Sequence, residues 1–331
     1  MQGAGSVGGL VGGRLLAAGH DVTFVTGNKD ITTVLNSRGI ILRDNDVETN
    51  MHAKAYTEVA DLPAGEHYDV VCLAMMAQHA VQSMRDSLPR LSDAGTVVTF
   101  QNGIVIDAIG EICGLDKLVP STLAFGMTME AHGEYRLTTA GSIILGELDG
   151  TASARVNDLA ELFGDVLKTV ISPNIMGVLW GKLLWNASVS AICAVTGRKL
   201  GDICGDPQTQ GLIIRGYREA VETARALGIT LEKVVVDFNK MYVPDGSSED
   251  GARELLKGLT ERYAEVIPST SQSLQKGKLT EIDYLNGYVA SKAVEVGHPT
   301  PMHELLTKLV REVEQGHRKI ERNNVEELLV G

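Results

Sequence analysis

The sequence predicts an α/β fold in two parts: an N-terminal Rossmann-type doubly wound parallel sheet, then a C-terminal all-helical domain. Three observations carry this. The chain opens on Gly3-Ala4-Gly5-Ser6-Val7-Gly8, a G-x-G-x-x-G turn, followed by an amphipathic stretch from Val7 to Ala18. Short apolar runs then alternate with helical periods at the spacing of βαβ units. From Pro173 onward, long helical periodicities dominate. The expected domains are residues 1–172, binding a dinucleotide, and residues 173–331, helical and carrying the substrate site.

In the first domain, Gly19-His20 punctuates the opening helix and Val22 to Val25 reads as a strand. A short helix over Ile31 to Ser37 ends at Gly39, and Ile40 to Leu42 is the next strand. Tyr68 to Leu73 is a continuous apolar run of the kind buried on both faces. A helix from Gln78 to Leu88 leads to a strand at Thr96 to Phe100, closed by the turn Gln101-Asn102-Gly103. Leu118 to Phe125, Ser142 to Leu145 and Lys168 to Ile171 are further strands, with a helix over Ala152 to Leu167. In the second domain, Ile213, Tyr217, Val221, Ala224 and Leu227 recur at helical spacing and stop at Gly228. Ile282, Leu285, Val289, Ala293 and Val296 do the same before Gly297. Leu305, Leu309 and Val313 continue in another helix, and Arg318 to Glu327 reads as a solvated one.

The glycine turn has a definite chemistry. Its first glycine permits the tight turn, the second lets a phosphate approach the backbone, and the third lets helix and strand pack closely. The helix N-terminus supplies free N–H groups and a positive dipole end. Only Met1 and Gln2 precede it, so the first strand looks truncated. That strand is central in a doubly wound sheet, and its loss would expose its neighbours' hydrogen-bonding groups. The expectation is therefore a native chain that begins several residues earlier.

Bulk properties narrow the classes. Of 331 residues, 44% are hydrophobic and 22% charged, ordinary for a globular protein with two cores. The formal net charge of -12 argues against nucleic acid or an acidic membrane as partner. Apolar runs fall short of the ~18–20 residues of a membrane span. The N-terminus lacks the basic region of a signal peptide. Cys72, Cys113, Cys193 and Cys204 show no C-x-x-C spacing and read as packed, reduced thiols of a cytoplasmic protein. The eight histidines are scattered and form no metal-binding spacing; His298 and His303 flank a Pro-rich turn and read as surface or capping residues. Ala4-Gly5-Ser6-Val7-Gly8 approaches a nucleophile elbow but lacks its first glycine and its strand.

A hydride transfer to a carbonyl needs a group that protonates the developing alkoxide. In Trp180-Gly181-Lys182-Leu183-Leu184-Trp185-Asn186, Lys182 and Asn186 are four apart and share one face of an apolar helix. Burial would lower the lysine pKa toward working pH and make it a poised acid. The alternative is an ordinary helix whose lysine snorkels to solvent. Thr280 to Gly287 places Glu281 and Asp283 at a helix start, which by itself could be dipole complementation.

Together these stretches resemble the ketopantoate reductase (2-dehydropantoate 2-reductase) family over nearly the whole chain. The match comprises the glycine turn with Ala18-Gly19-His20-Asp21-Val22, the Gln101-Asn102-Gly103 turn, the W-x-K-x-x-x-N of Trp180, Lys182 and Asn186, and Ser269 with Gly277 to Gly287. The resemblance implies a Rossmann domain, a helical domain like the C-terminal part of 6-phosphogluconate dehydrogenase, and an active site in the cleft between them. It implies reduction of 2-dehydropantoate to pantoate with NADPH, on the way to pantothenate and coenzyme A. By position it makes Lys182 the proton donor. Asn102, Asn186, Ser190, Ser269 and Glu281 become substrate contacts. Gly3, Gly5, Ser6, Val7, Gly8, Lys29, Asn102, Ala131 and Glu281 become cofactor contacts.

The departures bear on specificity. Where family members often carry an arginine for the 2′-phosphate of NADP, this chain has Gly27-Asn28-Lys29-Asp30. Lys29 could hold the phosphate as a point charge, favouring NADP, whereas Asp30 could bind ribose hydroxyls and favour NAD. Met75 stands where a lysine is common, and Ser190 and Leu200 stand where asparagines are. The expectation is thus an NADPH-dependent reductase, with a reductase of another 2-oxo acid as the first alternative. A non-catalytic NAD(P)H-binding protein is the second. A homodimer through the helical domain is the expected assembly, and no metal is expected.

Overall fold

The computed structural model describes residues 1–44 and 47–330, and the side chains of all of these except Asp44 and Val330. The chain forms two compact units. The first comprises Met1–Gln101 with Val105–Ile175; the second comprises Asn102–Ile104 with the residues from Met176 onward.

In the first unit, α1 (Ser6–Ala17) follows the glycine turn directly. Its buried side carries four glycines, Gly8, Gly9, Gly12 and Gly13, among Leu10, Val11 and Leu15. A Cβ on Gly8 would lie 2.0 Å from the Gly3 carbonyl oxygen, and one on Gly12 would lie 2.5 Å from the Phe24 ring. The helix therefore lies against the sheet at a distance no larger residue allows. Then come β1 (Thr23–Val25), α2 (Lys29–Arg38), β2 (Ile40–Asp44), β3 (Val47–Met51), β4 (Lys54–Tyr56), β5 (Tyr68–Leu73) and α3 (Ala77–Ser87). They are followed by β6 (Leu91–Thr99), α4 (Ile106–Cys113), β7 (Leu118–Ala131), β8 (Glu134–Leu145), α5 (Ala154–Gly164) and β9 (Lys168–Ile171).

Strands β4 and β1 pair in parallel, as do β5, β6 and the start of β7. Gln2 joins the two sets by parallel bridges to Val25 and Leu73. Its N–H donates to Cys72 O at 2.8 Å, its carbonyl accepts from Ala74 N–H at 2.8 Å, and Gly3 N–H donates to Val25 O at 2.7 Å. Gln2 and Gly3 thus supply the link at the carboxyl ends of β1 and β5, where the glycine turn must be held.

The sheet is not purely parallel. Strand β7 runs on into a long antiparallel ladder with β8, and β8 takes β9 and β2 as parallel neighbours. Strand β3 adds an antiparallel edge to β2. The β7–β8 extension is longer than the sequence reading allows. Met127, Thr128, Met129 and Leu137 are all half-buried, so they show neither a continuous apolar run nor clean alternation.

The second unit is built on α6 (Ile175–Thr196). This helix corrects the expectation about apolar runs. By length and composition it could cross a membrane, with a mean hydropathy of 1.4 over an 18-residue window, yet 89% of that window is buried inside the protein. Its small and polar residues interrupt the run to the eye without breaking the helix. Around it lie α7 (Leu200–Gly205), α8 (Pro207–Ala226), α9 (Phe238–Met241), α10 (Asp250–Leu259), α11 (Ser269–Gln275), α12 (Asn286–Glu295), α13 (Pro301–Glu314) and α14 (Asn324–Val330). Trp180 packs on Tyr288 and Trp185 on Tyr263, with ring centroids 5.9 and 6.0 Å apart.

Three more expectations change here. The period from Ile282 to Val296 is not one helix, because a 3-10 turn over Ile282–Tyr284 ends at Leu285 before α12 starts. The stretch from Arg318 is helical only from Asn324, and Arg318 pairs with Glu312 and Glu327 instead. His303 is not a surface residue but fully buried in α13. It contacts Gly216 O through Nε2 at 2.8 Å and the Asn286 amide through Nδ1 at 3.1 Å. Burial pulls its pKa down to about 4, so it stays neutral.

Candidate active site

Along the whole of α6, only Met176, Lys182 and Asn186 escape full burial. A 22-residue apolar helix thus opens its middle at two polar side chains one turn apart. The surroundings of Lys182 withhold water, and this desolvation pulls its ammonium down to about 8 against the opposing charge of the Glu281 carboxylate. A snorkelling lysine would keep its ammonium in water, whereas the Lys182 ammonium is desolvated. Ser190, one turn beyond Asn186, is buried.

Glu281 is 4% exposed, on the segment between α11 and the Ile282–Tyr284 turn. Its neighbours fix its place. Thr280 N–H donates to Glu314 Oε1 of α13 at 2.6 Å, and Ile282 N–H donates to Thr280 Oγ1 at 3.2 Å. The Arg311 guanidinium donates to Asp283 at 2.7 Å. Glu314 was not singled out in the sequence, because an acid on an exposed-looking helix end carries no signal until the loop lies against it.

Asn102 reaches the same segment through backbone pairing. Ile104 N–H donates to Tyr284 O at 3.0 Å. Between them Gly103 has φ +80°, and a Cβ there would lie 2.3 Å from the same Tyr284 oxygen. The glycine is required twice, by its left-handed backbone and by the close approach. Lys182, Glu281, Asn186 and the Asn102 turn therefore belong to one part of the second unit. Ser269 opens α11 and is exposed, so its hydroxyl is available to a ligand.

In the first unit, the residues of the glycine turn meet the demands of a dinucleotide. Gly3 has φ +93° and backbone atoms of Ala74 and Met75 at 3.1 Å from where a Cβ would be; Gly5 faces open space. Ser6 and Val7 begin α1, whose 12 residues leave their first N–H groups unpaired within the helix. Beside the turn lies a groove of about 790 Å³, lined among others by Gly3, Val25, Gly27, Glu58, Met75 and Arg90. The buried Oε1 of Gln101 has no partner, while its amide nitrogen donates to Leu73 O and Met75 O at the end of β5. An acceptor left open beside such a cradle fits a cofactor with amide and hydroxyl donors. Lys29 starts α2, where the Asn28 side chain caps the helix by accepting from Asp30 and Ile31 N–H groups; it lies outside the groove lining. Ala131 ends β7 opposite Glu134, at the exposed β7–β8 tip, also outside that lining. Among the described residues, no cluster of three or more His, Cys, Asp or Glu could hold a metal ion.

Comparison with known proteins identifies the family of both halves of the chain. Residues 1–150 match the family described as ketopantoate reductase PanE/ApbA, and residues 174–314 match its C-terminal domain. The 2-dehydropantoate 2-reductase of Archaeoglobus fulgidus is 26% identical over 318 residues, 96% of this chain and 97% of that protein. The enzyme of the same name from Halobacterium salinarum is 25% identical over 94% of this chain and 97% of its own. A PanE/ApbA family ketopantoate reductase from Ralstonia eutropha JMP134 shares the fold with a TM-score of 0.80 at 22% identity, covering 96% of this chain and 99% of that one. D-mandelate dehydrogenase, solved with NADH and anilino(oxo)acetate, shares it with a TM-score of 0.81 at 21% identity and the same coverage. With both halves matched in order, the chain belongs to the ketopantoate reductase family, NAD(P)H-dependent oxidoreductases acting on CH–OH groups.

Proposed function

We propose that this protein reduces 2-dehydropantoate to pantoate with NADPH, a step toward pantothenate and coenzyme A. The observation that carries the reading is Lys182, a lysine with a lowered pKa beside a buried carboxylate, on the one open face of an otherwise buried helix. The reduced nicotinamide, when bound, supplies the hydride to the ketone carbon. Lys182 Nζ holds the proton that the carbonyl oxygen takes up. Its charge also favours the oxyanion as it develops, and does so more strongly where water is excluded. Asn186 and Asn102 orient the substrate by hydrogen bonds, Ser269 binds its carboxylate side, and Glu281 accepts from hydroxyls of substrate and ribose. Glu281 also keeps Lys182 protonated at neutral pH, since its charge raises a pKa that desolvation alone would drop further.

The pH dependence follows. Reduction needs the ammonium form, so kcat is level below about 8 and falls roughly tenfold per unit above it. Glu281→Gln removes the supporting charge and moves this alkaline limb to lower pH. A limb unmoved in that variant, measured by stopped-flow NADPH oxidation, would remove Glu281 from this role.

A second reading is a different 2-oxo acid. It is favoured by Met75, which lines the groove with a thioether where a cation would grip an anion, and by Leu200, buried where an asparagine could hydrogen-bond. A panel of 2-oxo acids ranked by kcat/KM tests both: 2-dehydropantoate should lead, and a bulkier or less hydroxylated acid ahead by tenfold or more would select the second.

For the cofactor, Lys29 is the cation nearest in sequence to Gly27 at the groove. Lys29→Ala should raise KM for NADPH several-fold, because one screened phosphate contact is lost, and leave KM for NADH unchanged. Equal KM shifts for both cofactors, or a wild type preferring NADH, would replace NADPH with NADH and turn attention to Glu58, which also lines the groove.

A further inference from the structure

Tyr135 lies in the middle of the sheet of the first unit, 131 residues from the partner of its hydroxyl. It is fully buried, yet its Oη donates to the carbonyl oxygen of Ala4 at 2.7 Å. Ala4 is the first variable position of the G-x-G-x-x-G turn. The ring lies flush on α1, since a Cβ on Gly9 would fall 2.0 Å from the Tyr135 Cε1 and Cζ atoms. Both flanks of the tyrosine are tied down: it pairs with Leu42 of β2 and with Met129 of β7. Its chain neighbours Glu134 and Arg136 join an ion network with Arg43 and Glu130. The donor is thus held on rigid strands, and it points at one peptide group of the turn.

That peptide group has a second end. The Ala4–Gly5 peptide bond is trans, so the Ala4 carbonyl and the Gly5 N–H lie in one plane and point in opposite directions. Drawing the carbonyl inward onto the tyrosine turns the Gly5 N–H outward. The backbone at Gly5 is uncrowded: a Cβ there would meet nothing within 4 Å. An anchored carbonyl and an uncrowded glycine next to it are what a backbone donor for an incoming anion requires.

We propose that Tyr135 is a positioning residue for dinucleotide binding: by holding the Ala4 carbonyl, its hydroxyl aims the Gly5 N–H at the pyrophosphate. The inference rests on the reading of Gly3–Gly8 as a dinucleotide turn. Burial also pushes the Tyr135 phenol well above its ordinary pKa, so it stays a donor across the working range.

The test is binding of NADPH to the full chain, followed by protein fluorescence, with adenosine 2′-phosphate as a ligand that lacks the pyrophosphate. Tyr135→Phe keeps the ring and loses the donor. Its Kd and KM for NADPH should rise about tenfold, equivalent to ~1.4 kcal/mol, with kcat within twofold and adenosine 2′-phosphate binding unchanged. If the phenylalanine variant does not fold, p-fluorophenylalanine and p-aminophenylalanine at position 135 replace it. Both match tyrosine in size, and only the second donates; the fluoro variant should show the loss and the amino variant should recover it. A melting temperature that falls while the NADPH Kd stays unchanged would overturn the proposal and leave Tyr135 a packing residue. Equal losses for NADPH and adenosine 2′-phosphate would also overturn it, because the effect would not be at the pyrophosphate. Failure of the wild type to bind either NADPH or NADH would instead sink the dinucleotide reading itself.

Discussion

Replacing Lys182 with alanine should lower kcat by three orders of magnitude or more while NADPH binds with nearly unchanged affinity. A positioned general acid contributes about 10²–10⁴ in rate, and here the same side chain also supplies the only positive charge on the open face of α6. On α6 no residue one turn away could take over, because Val178 is apolar and Asn186 an amide, and Ser190 a turn further on is a buried hydroxyl. The loss should therefore appear in kcat and in kcat/KM together, as for an interaction made chiefly in the transition state. Lys182→Met sharpens the test. It keeps the length and apolar stem, so it should be as inactive as the alanine variant. Yet it should melt at a higher temperature than the wild type, since burying a charge in this desolvated place costs stability and the thioether removes that cost. An active Lys182→Met enzyme would end the mechanism. An inactive one that melts lower would keep the mechanism and refute the account of why the pKa is low.

Which parts of this could be read from residues alone follows from the range of the interactions. Lys182 and Asn186 are one helical turn apart, so a period of 3.6 brings them together without any tertiary information. The glycine turn is local in the same sense. Tyr68–Leu73 and Lys168–Ile171 are short runs whose own pattern decides their structure. Features set by distant contacts were not legible. The break at Leu285 comes where the Asn102 turn docks on the Tyr284 carbonyl, and no periodicity in residues 282–296 announces it. The burial of His303 depends on carbonyl and amide partners 87 and 17 residues away. The β7–β8 ladder is another such case, and so is Tyr135: a single tyrosine between a glutamate and an arginine reads as an ordinary strand position until its hydroxyl meets Ala4. The opening of the chain is a subtler instance. The rule that a central strand needs several residues led to the expectation of exposed edges. Gln2 nonetheless bridges β1 and β5, with Met1 and Gly3 bonded to Val25 on either side of it.

The second large effect concerns the two glycines of that turn, which should fail in different ways. A methyl group on Gly8 would stand 2.0 Å from the Gly3 carbonyl oxygen and 3.0 Å from the Ala74 Cβ, so backbone must move. Gly3 cannot yield easily, since its own φ of +93° and its contacts with Ala74 and Met75 leave little room. Gly8→Ala should therefore cost about 1–3 kcal/mol of stability, as overpacking does, and raise the NADPH Kd about a hundredfold by deforming the turn. Gly5 is the opposite case. Its φ of -72° suits any residue and its Cβ position is empty. Gly5→Ala should leave the melting temperature within about a degree, yet weaken NADPH as strongly as Gly8→Ala, because the methyl occupies the space a phosphate needs. Melting curves and NADPH titrations of the two variants separate packing from binding. A Gly5→Ala protein that binds NADPH like the wild type would mean that the pyrophosphate does not sit over Gly5, and with that the aim of the Gly5 N–H would lose its target.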